Sequence, residues 1–237
     1  MGKHGKKYLE AAKLVELERR YQPDEAIALA KQTAYAKFDE SVEIHLRMGA
    51  DPRHADQQVR GVAMMPNGLG KQVRVLVFTQ GEGVRVAQEA GADFIGDDET
   101  IKKIEGGWVE FDVAIATQDM MPKVGKLGRV LGRKGLMPNP RAGTVVQEAD
   151  IGRAIEEARK GRQEFRLDRT GVIHAVFGKA SFEESQLREN LASLMEAIVA
   201  AKPSGIKGQY IRSAVLATAM GPSIKLDVPA IQSLHTN

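Results

Sequence analysis

From Val42 to Met48 the chain alternates with a period of two: Val42, Ile44, Leu46 and Met48 are apolar, and Glu43, His45 and Arg47 stand between them. That pattern predicts a strand with one dry face and one wet face. Upstream, residues 7–20 read as a polar helix. Pro23-Asp24-Glu25 opens a second helix, with proline in the first turn and acids at its positive end, running to about Lys37. Val59–Met65 reads as another strand, closed by the turn Pro66-Asn67-Gly68.

The texture then changes. Val73–Phe78 is a short, almost wholly apolar run, Gly83–Ala90 is helical, and Asp93–Ile95 is a brief strand. Asp97 or Asp98 caps a helix to Ile104, and Val113–Ala116 is again a buried strand. Short apolar strands alternating with helices predict a mostly parallel sheet clothed by helices on both sides, a three-layer, Rossmann-like α/β arrangement. A helix capped by Asp150 runs through Arg159.

From Gly161 the first texture returns. Glu164–Leu167 and Val172–Phe177 read as a hairpin about Arg169-Thr170-Gly171. Ser181-Phe182-Glu183-Glu184 reads as a capping box before a long amphipathic helix to about Ala201, and Tyr210–Ala217 as a strand. The fold class expected is therefore an α+β domain made from both chain ends, residues 1–67 and 160–237, with an α/β domain, residues 68–159, inserted into it. The chain crosses between them twice, so hinges are expected near 67 and 159.

Charge sharpens this division. The 237 residues carry a net charge of +3. The insert holds 13 basic and 14 acidic residues, leaving 21 of the 34 basic and 17 of the 31 acidic residues in the frame. The positive excess thus lies in the frame, and a polyanionic partner becomes a reasonable expectation. Aromatic residues make up 5%, too few for recognition built on base stacking. Cysteine is absent, which excludes disulfides and thiolate metal sites and suits a reducing, cytoplasmic setting. No run of apolar residues is long enough to span a membrane.

Catalytic patterns fail one by one. Gly70-Lys71 and Gly125-Lys126 lack the Ser or Thr that a phosphate-binding loop needs next. Gly81-Glu82-Gly83 begins like a dinucleotide fingerprint, but Val86 stands where the third glycine belongs. The glycines are read instead as tight turns. His4, His45, His54, His174 and His235 form no helical ligand pair, and His45 on a wet strand face is expected to be solvated. His174, close to Arg166 and Arg169, is a candidate phosphate contact. The paired carboxylates fall at helix starts or on exposed helix faces, where capping explains them.

What remains is the distribution of cations. No acid interrupts the chain between Glu196 and Asp227, and Lys160, Arg162, Arg166, Arg169 and Lys179 are grouped in the frame just after Arg159, the last residue of the insert. Such residues neutralise phosphates and release counterions. Within the insert, Met121–Val146 is glycine-rich and acid-free, with Lys123, Lys126, Arg129, Arg133, Lys134 and Arg141. Two readings stand side by side for it. One is a secondary basic surface for RNA, toward the cleft between the domains, with glycines letting backbone N–H groups approach phosphates. The other is a buried, irregular connection whose Pro138-Asn139-Pro140 fixes turns.

Several blocks resemble the bacterial ribosomal protein L1 family, in order: KFDESVEIHLRMGADPRHADQQVRG (37–61), LGKQVRVLVF (69–78), EAGADFIG (89–96), GRVLGRKGLMPNPRAGTVV (128–146), TGVIHAVFGKASF (170–182) and TAMGPS (218–223). The resemblance implies two domains, one built from both chain ends. It implies a ribosomal constituent, with no cofactor, no metal and no enzymatic activity. The partners it implies are the ribosome, the mobile stalk of large-subunit rRNA beside the tRNA exit site, deacylated tRNA leaving there, and the leader of the protein's own mRNA, whose translation it would repress. Carried onto this chain, the RNA-binding residues are Lys37, Phe38 and Ser41 at the start of a strand, Arg166 and Arg169, Ser213, Thr218, Met220 and Gly221; Arg53 and His174 join them as further candidates. Phe38 and Met220 would lie on sugars or bases, and Ser213, Thr218 and Gly221 would reach 2′-hydroxyls. Lys37, Arg166 and Arg169 would hold phosphates. The family usually has Thr before the Met-Gly pair, and this chain has Ala219. One hydroxyl contact is therefore expected to be missing, with altered affinity but retained binding. Two other functions stay open on residues alone: a nucleotide-dependent enzyme built on the insert, and an RNA-binding repressor that works off the ribosome.

Overall fold

The computed structural model describes residues 5–140 and 143–235. Contacts divide them into two compact units: residues up to Gly70 together with those from Arg162 onward, and those within Lys71–Gly161. The connection 68–70 stays with the first unit because buried Asn190 holds it. The Asn190 side chain accepts the Asn67 N–H at 3.0 Å and donates to the carbonyls of Gly68 and Phe177 at 2.9 and 2.8 Å.

The first unit is built on an antiparallel sheet of β1 (Ser41–Met48), β8 (Val172–Lys179), β9 (Ile211–Thr218) and β10 (Ile224–Leu226), in the order β10-β9-β1-β8. Val42, Ile44, Leu46 and Met48 point inward, all within 2% of full burial, as their alternation requires. Each such side chain contributes about 1.5–3 kcal/mol of hydrophobic stabilisation. Helices α2 (Pro23–Thr33), α8 (Glu184–Ala200) and α9 (Val228–Gln232) share the same core. A separate ribbon pairs β2 (Arg60–Met64) with β7 (Arg162–Arg166).

Four sequence expectations are corrected here. The first helix, α1, covers only Lys6–Ala12, because Tyr21 bridges Leu226 and draws the chain beside β10. Helix α2 stops at Thr33 rather than near Lys37, since the N–H groups of Tyr35 and Ala36 turn to the Glu40 carboxylate. The capping box of α8 uses Glu183 and Gln186, while the Ser181 N–H and hydroxyl both donate to Asp39. The hairpin expected about Arg169-Thr170-Gly171 is not one: β7 pairs with β2, β8 pairs with β1, and only Leu167 bridges Ile173.

In the second unit β3 (Val75–Phe78), β4 (Phe94–Ile95), β5 (Val113–Thr117) and β6 (Val145–Val146) form a parallel sheet in the order β4-β3-β5-β6. Helices cover both faces, which is why β3 is apolar without alternation. On one face α3 (Glu82–Glu89) and α7 (Ile151–Arg159) pack on Val75, Val77 and Ile115. On the other, α4 (Asp98–Glu105), α5 (Met121–Val124) and α6 (Gly128–Lys134) pack on Leu76, Phe78, Ala114 and Ala116. Asp97 caps α4, its carboxylate accepting the Thr100 N–H at 2.8 Å.

The glycine-rich basic stretch is helical up to Lys134, whereas residues 136–139 form an irregular connection with Pro138 buried, where the Asn139 N–H donates to the Thr144 hydroxyl at 2.8 Å. A turn at Gln118–Met120, α5, a turn at Gly125–Leu127 and α6 follow one another without a break. Met120, Val124, Leu127 and Leu131 fall on one buried stripe, spaced four, three and four apart. Gly125, Gly128 and Gly132 lie within these helical turns, with open space where a side chain would stand. They are neither tight turns nor close-approach points. Gly135, which ends α6 at φ 73°, and Gly143, at φ 61°, do use glycine's freedom.

Candidate nucleic-acid interface

At the Ser41 end of the sheet, a loop and a turn from opposite ends of the chain meet at one buried carboxylate. Glu40 is 1% exposed. Its Oε1 accepts the N–H groups of Tyr35 at 3.0 Å and Ala36 at 2.7 Å, and its Oε2 accepts that of Met220 at 3.0 Å. The Thr218 hydroxyl also bonds to it. Burial pushes this carboxyl up, but the donors from Ala36, Thr218, Met220 and Tyr35 outweigh it and hold the group below 4.5, so it is ionised at neutral pH. Phe38 on the loop and Met220 on the turn are exposed by 58% and 51%. Lys37 is exposed beside Phe38. Ser41 is half-buried and its hydroxyl accepts from Lys179 at 2.9 Å.

Two of the expected roles change with this geometry. Lys37 and Phe38 belong to the loop before β1, not to the strand, which starts at Ser41. Thr218 is 4% exposed and faces inward, since its neighbours on β1 and β9 are core residues. Its hydroxyl serves Glu40 and accepts the Gly221 N–H at 3.1 Å, so it positions the turn and cannot reach a 2′-hydroxyl. A Cβ on Gly221 would come within 2.3 Å of that hydroxyl oxygen, which explains why the turn closes on glycine.

The wet face of the sheet continues toward the Met48 end. Arg47 stands opposite Ser213, and both are exposed. Arg47 lies six residue steps along the strand from Ser41, roughly 20 Å. Between them His45 faces His174 across β1 and β8, with Nδ1 atoms 2.8 Å apart. His45 is therefore paired rather than merely solvated. Asp168 lies 3.5 Å from the His174 Nε2 and shapes the Arg169 turn, accepting the N–H groups of Thr170 and Val172 at 2.8 Å each. That turn sits at the Met48 end, where the Gly171 carbonyl accepts the Met48 N–H. Arg53 is exposed in the loop that follows β1, and Arg166 lies on the separate ribbon opposite Arg60.

The sheet thus gathers Lys37, Phe38, Ser41, Thr218, Met220 and Gly221 at one end, and Arg169 and Ser213 at the other, with His174 between. Glu40, Arg47 and Asp168 are partners the sequence reading missed, while His45 was expected only to be solvated and Lys179 only to be one of the grouped cations. The alternation of β1 already carried His45 and Arg47 onto the wet face. Nothing local marks Glu40 as buried.

In the second unit, Lys126, Arg129, Arg133 and Lys134 are exposed on the helical turns from Gly125 to Lys134. Lys123 differs, bonded to Asp98 at 2.9 Å. Arg141 lies outside the described residues. Among the described residues, no group of three or more His, Asp or Glu side chains could hold a metal ion, and no helix is long and apolar enough to cross a membrane.

Comparison with known proteins bears on this arrangement. The sequence pattern that defines the ribosomal protein L1p/L10e family matches residues 30–222. The chain is 61% identical over 231 residues to the large ribosomal subunit protein uL1 of Dehalococcoides mccartyi, covering 98% of each chain. It is 57% identical to the uL1 protein of Chloroflexus aggregans, covering 99% of each, and 56% identical to that of Thermomicrobium roseum, covering 96% of this chain and 95% of that one.

Proposed function

The chain belongs to the ribosomal protein L1p/L10e family, and we propose on that footing how it works: its discontinuous unit binds the stalk region of large-subunit rRNA beside the tRNA exit site. It is a structural constituent of the large ribosomal subunit in the cytoplasm, and not an enzyme. The observation that carries the RNA-binding reading is the junction at Glu40, which ties the exposed Lys37-Phe38 loop to the exposed Met220 turn. An exposed aromatic ring, a thioether and a lysine on backbone held by a buried charge make a preorganised platform for sugars, bases and phosphate. Arg47, Arg169, His174 and Ser213 extend it along the wet face, where Arg169 and Arg47 meet phosphates and position the RNA.

Repression of the protein's own mRNA would use the same platform, on a leader that folds like the stalk. The basic face of α6 would meet RNA or departing deacylated tRNA. The test is binding of the whole protein to a transcript of the stalk region, with Phe38→Ala and Met220→Ala as variants. Each is expected to weaken binding at least tenfold with an unchanged melting temperature. Competition by a transcript of the mRNA leader checks that both RNAs use one site. Unweakened binding by both variants would reject this surface as the RNA site.

A further inference from the structure

We infer that Glu40, a residue that touches no RNA, is the positioning residue of the RNA platform. Its carboxylate fixes the Lys37-Phe38 loop and the Met220-Gly221 turn in one relative geometry. The inference rests on the RNA-binding reading above and adds to it the element that makes the platform rigid.

Glu is rarely buried unless a cation accompanies it. Among the described residues no Lys or Arg forms an ion pair with Glu40; backbone N–H groups and one hydroxyl hold its charge. These donors converge from two segments about 180 residues apart: Tyr35 and Ala36 on Oε1, Met220 on Oε2, with the Thr218 hydroxyl a further donor from the second segment. The Glu40 carbonyl also accepts the Ala180 N–H at 2.8 Å, so the backbone that carries the side chain is itself fixed. A second tier follows, because Thr218 in turn accepts the Gly221 N–H.

This arrangement needs an acceptor on both sides of the group. A glutamine has one oxygen and one NH2, so whichever way it turns, an N–H donor faces another donor across one segment. Glu40→Gln therefore keeps the volume and releases either the loop or the turn. Only a group that locates both at once behaves this way. A residue that merely stabilised the fold would lower stability without being coupled to Phe38.

The experiment is a double-mutant cycle in affinity for the stalk transcript, using wild type, Glu40→Gln, Phe38→Ala and the double variant, all measured well below their melting temperatures. Glu40→Gln is expected to weaken binding roughly tenfold alone and far less in the Phe38→Ala background, because an unpositioned loop without its ring has little left to lose. The slope of affinity against salt should fall by no more than the one phosphate contact of Lys37 on the released loop, about 0.7–0.9. Thr218→Val, which breaks the same node from the other segment, supplies the cycle if Glu40→Gln fails to fold. Additive losses both in this cycle and in the same cycle built on Met220→Ala, or wild-type binding by both node variants, would overturn the inference. If instead Phe38→Ala and Met220→Ala bind normally, the RNA site itself is wrong and the inference falls with it.

Discussion

His45 and His174 face each other across β1 and β8 with their Nδ1 atoms 2.8 Å apart. At that distance one ring donates and the other accepts, so protonating both would set two N–H groups against each other. Around them stand Glu43, 3.8 Å from the His45 Nε2, Asp168, 3.5 Å from the His174 Nε2, and the exposed Arg47. Burial, then the neighbouring His174, hold His45 below 6.5, against the pull of Glu43. The unfolded chain therefore takes up a proton on His45 at a higher pH than the folded one. Stability should be full above about pH 6.5 and decline as pH falls from there through the lower folded value. Urea unfolding at pH 7.5 and pH 5.5 measures this, and His45→Gln should remove part of the decline.

Asp168 titrates in the opposite sense. Burial pushes its carboxyl up, but the Val172 N–H, the Thr170 hydroxyl and N–H, and His174 outweigh it and hold it at about 2. The stability this gives is present above 3.8 and lost as pH falls from there toward 2. The group is partly exposed, so solvent discounts the effect, and Asp168→Asn should cost about 1 kcal/mol at pH 7. The variant should also show a shallower acid limb below pH 4, and a limb as steep as wild type would contradict this account.

Gly221→Ala tests the turn beside Glu40 by sterics alone. The new Cβ would lie 2.3 Å from the Thr218 hydroxyl oxygen and 3.6 Å from the Thr33 carbonyl. Overpacking of this kind costs about 1–3 kcal/mol. Thr218→Ala deletes the obstructing oxygen, so the double variant Gly221→Ala/Thr218→Ala should be more stable than the sum of the single changes. Thermal melts of the four proteins decide it, and strict additivity would show that the turn relaxes elsewhere.

The parts of this structure that could be read from residues are those that periodicity governs. The alternation in β1 gave its dry and wet faces, and the unbroken apolar run at Val75–Phe78 announced a strand covered on both sides. Asp97 was visible as a cap because its acceptor lies three residues from the donor it serves. Long-range polar contacts were invisible for the converse reason. Nothing near Glu40 reveals Met220, or near His45 reveals His174, and the end of α2 was misplaced because that same carboxylate decides it. The glycines of 125–132 misled differently: they masked a helical stripe at Met120, Val124, Leu127 and Leu131 that spacing alone would have shown.

That helical stripe restates the question of the acid-free basic stretch. Its apolar face is committed to the core of the second unit, and Lys126, Arg129, Arg133 and Lys134 are left to solvent. Solvated lysines on a helix are ordinary, and Arg133 and Lys134 also sit at the negative end of α6, where cations stabilise a helix by about 0.3–1 kcal/mol. The packing reading thus predicts a small loss of stability on neutralisation and no effect on RNA. The surface reading predicts more: each phosphate contact removed lowers the slope of log affinity against log salt by about 0.7–0.9. Replacing Lys126, Arg133 and Lys134 together with Gln should therefore flatten the slope by roughly 2–3 for the stalk transcript or for deacylated tRNA, if all three meet phosphate. Lys123→Gln is the matched control, because Lys123 is already bonded to Asp98 and should leave the slope unchanged. A triple variant that folds and keeps the wild-type slope with both RNAs would assign these charges to solvation and to the helix end alone.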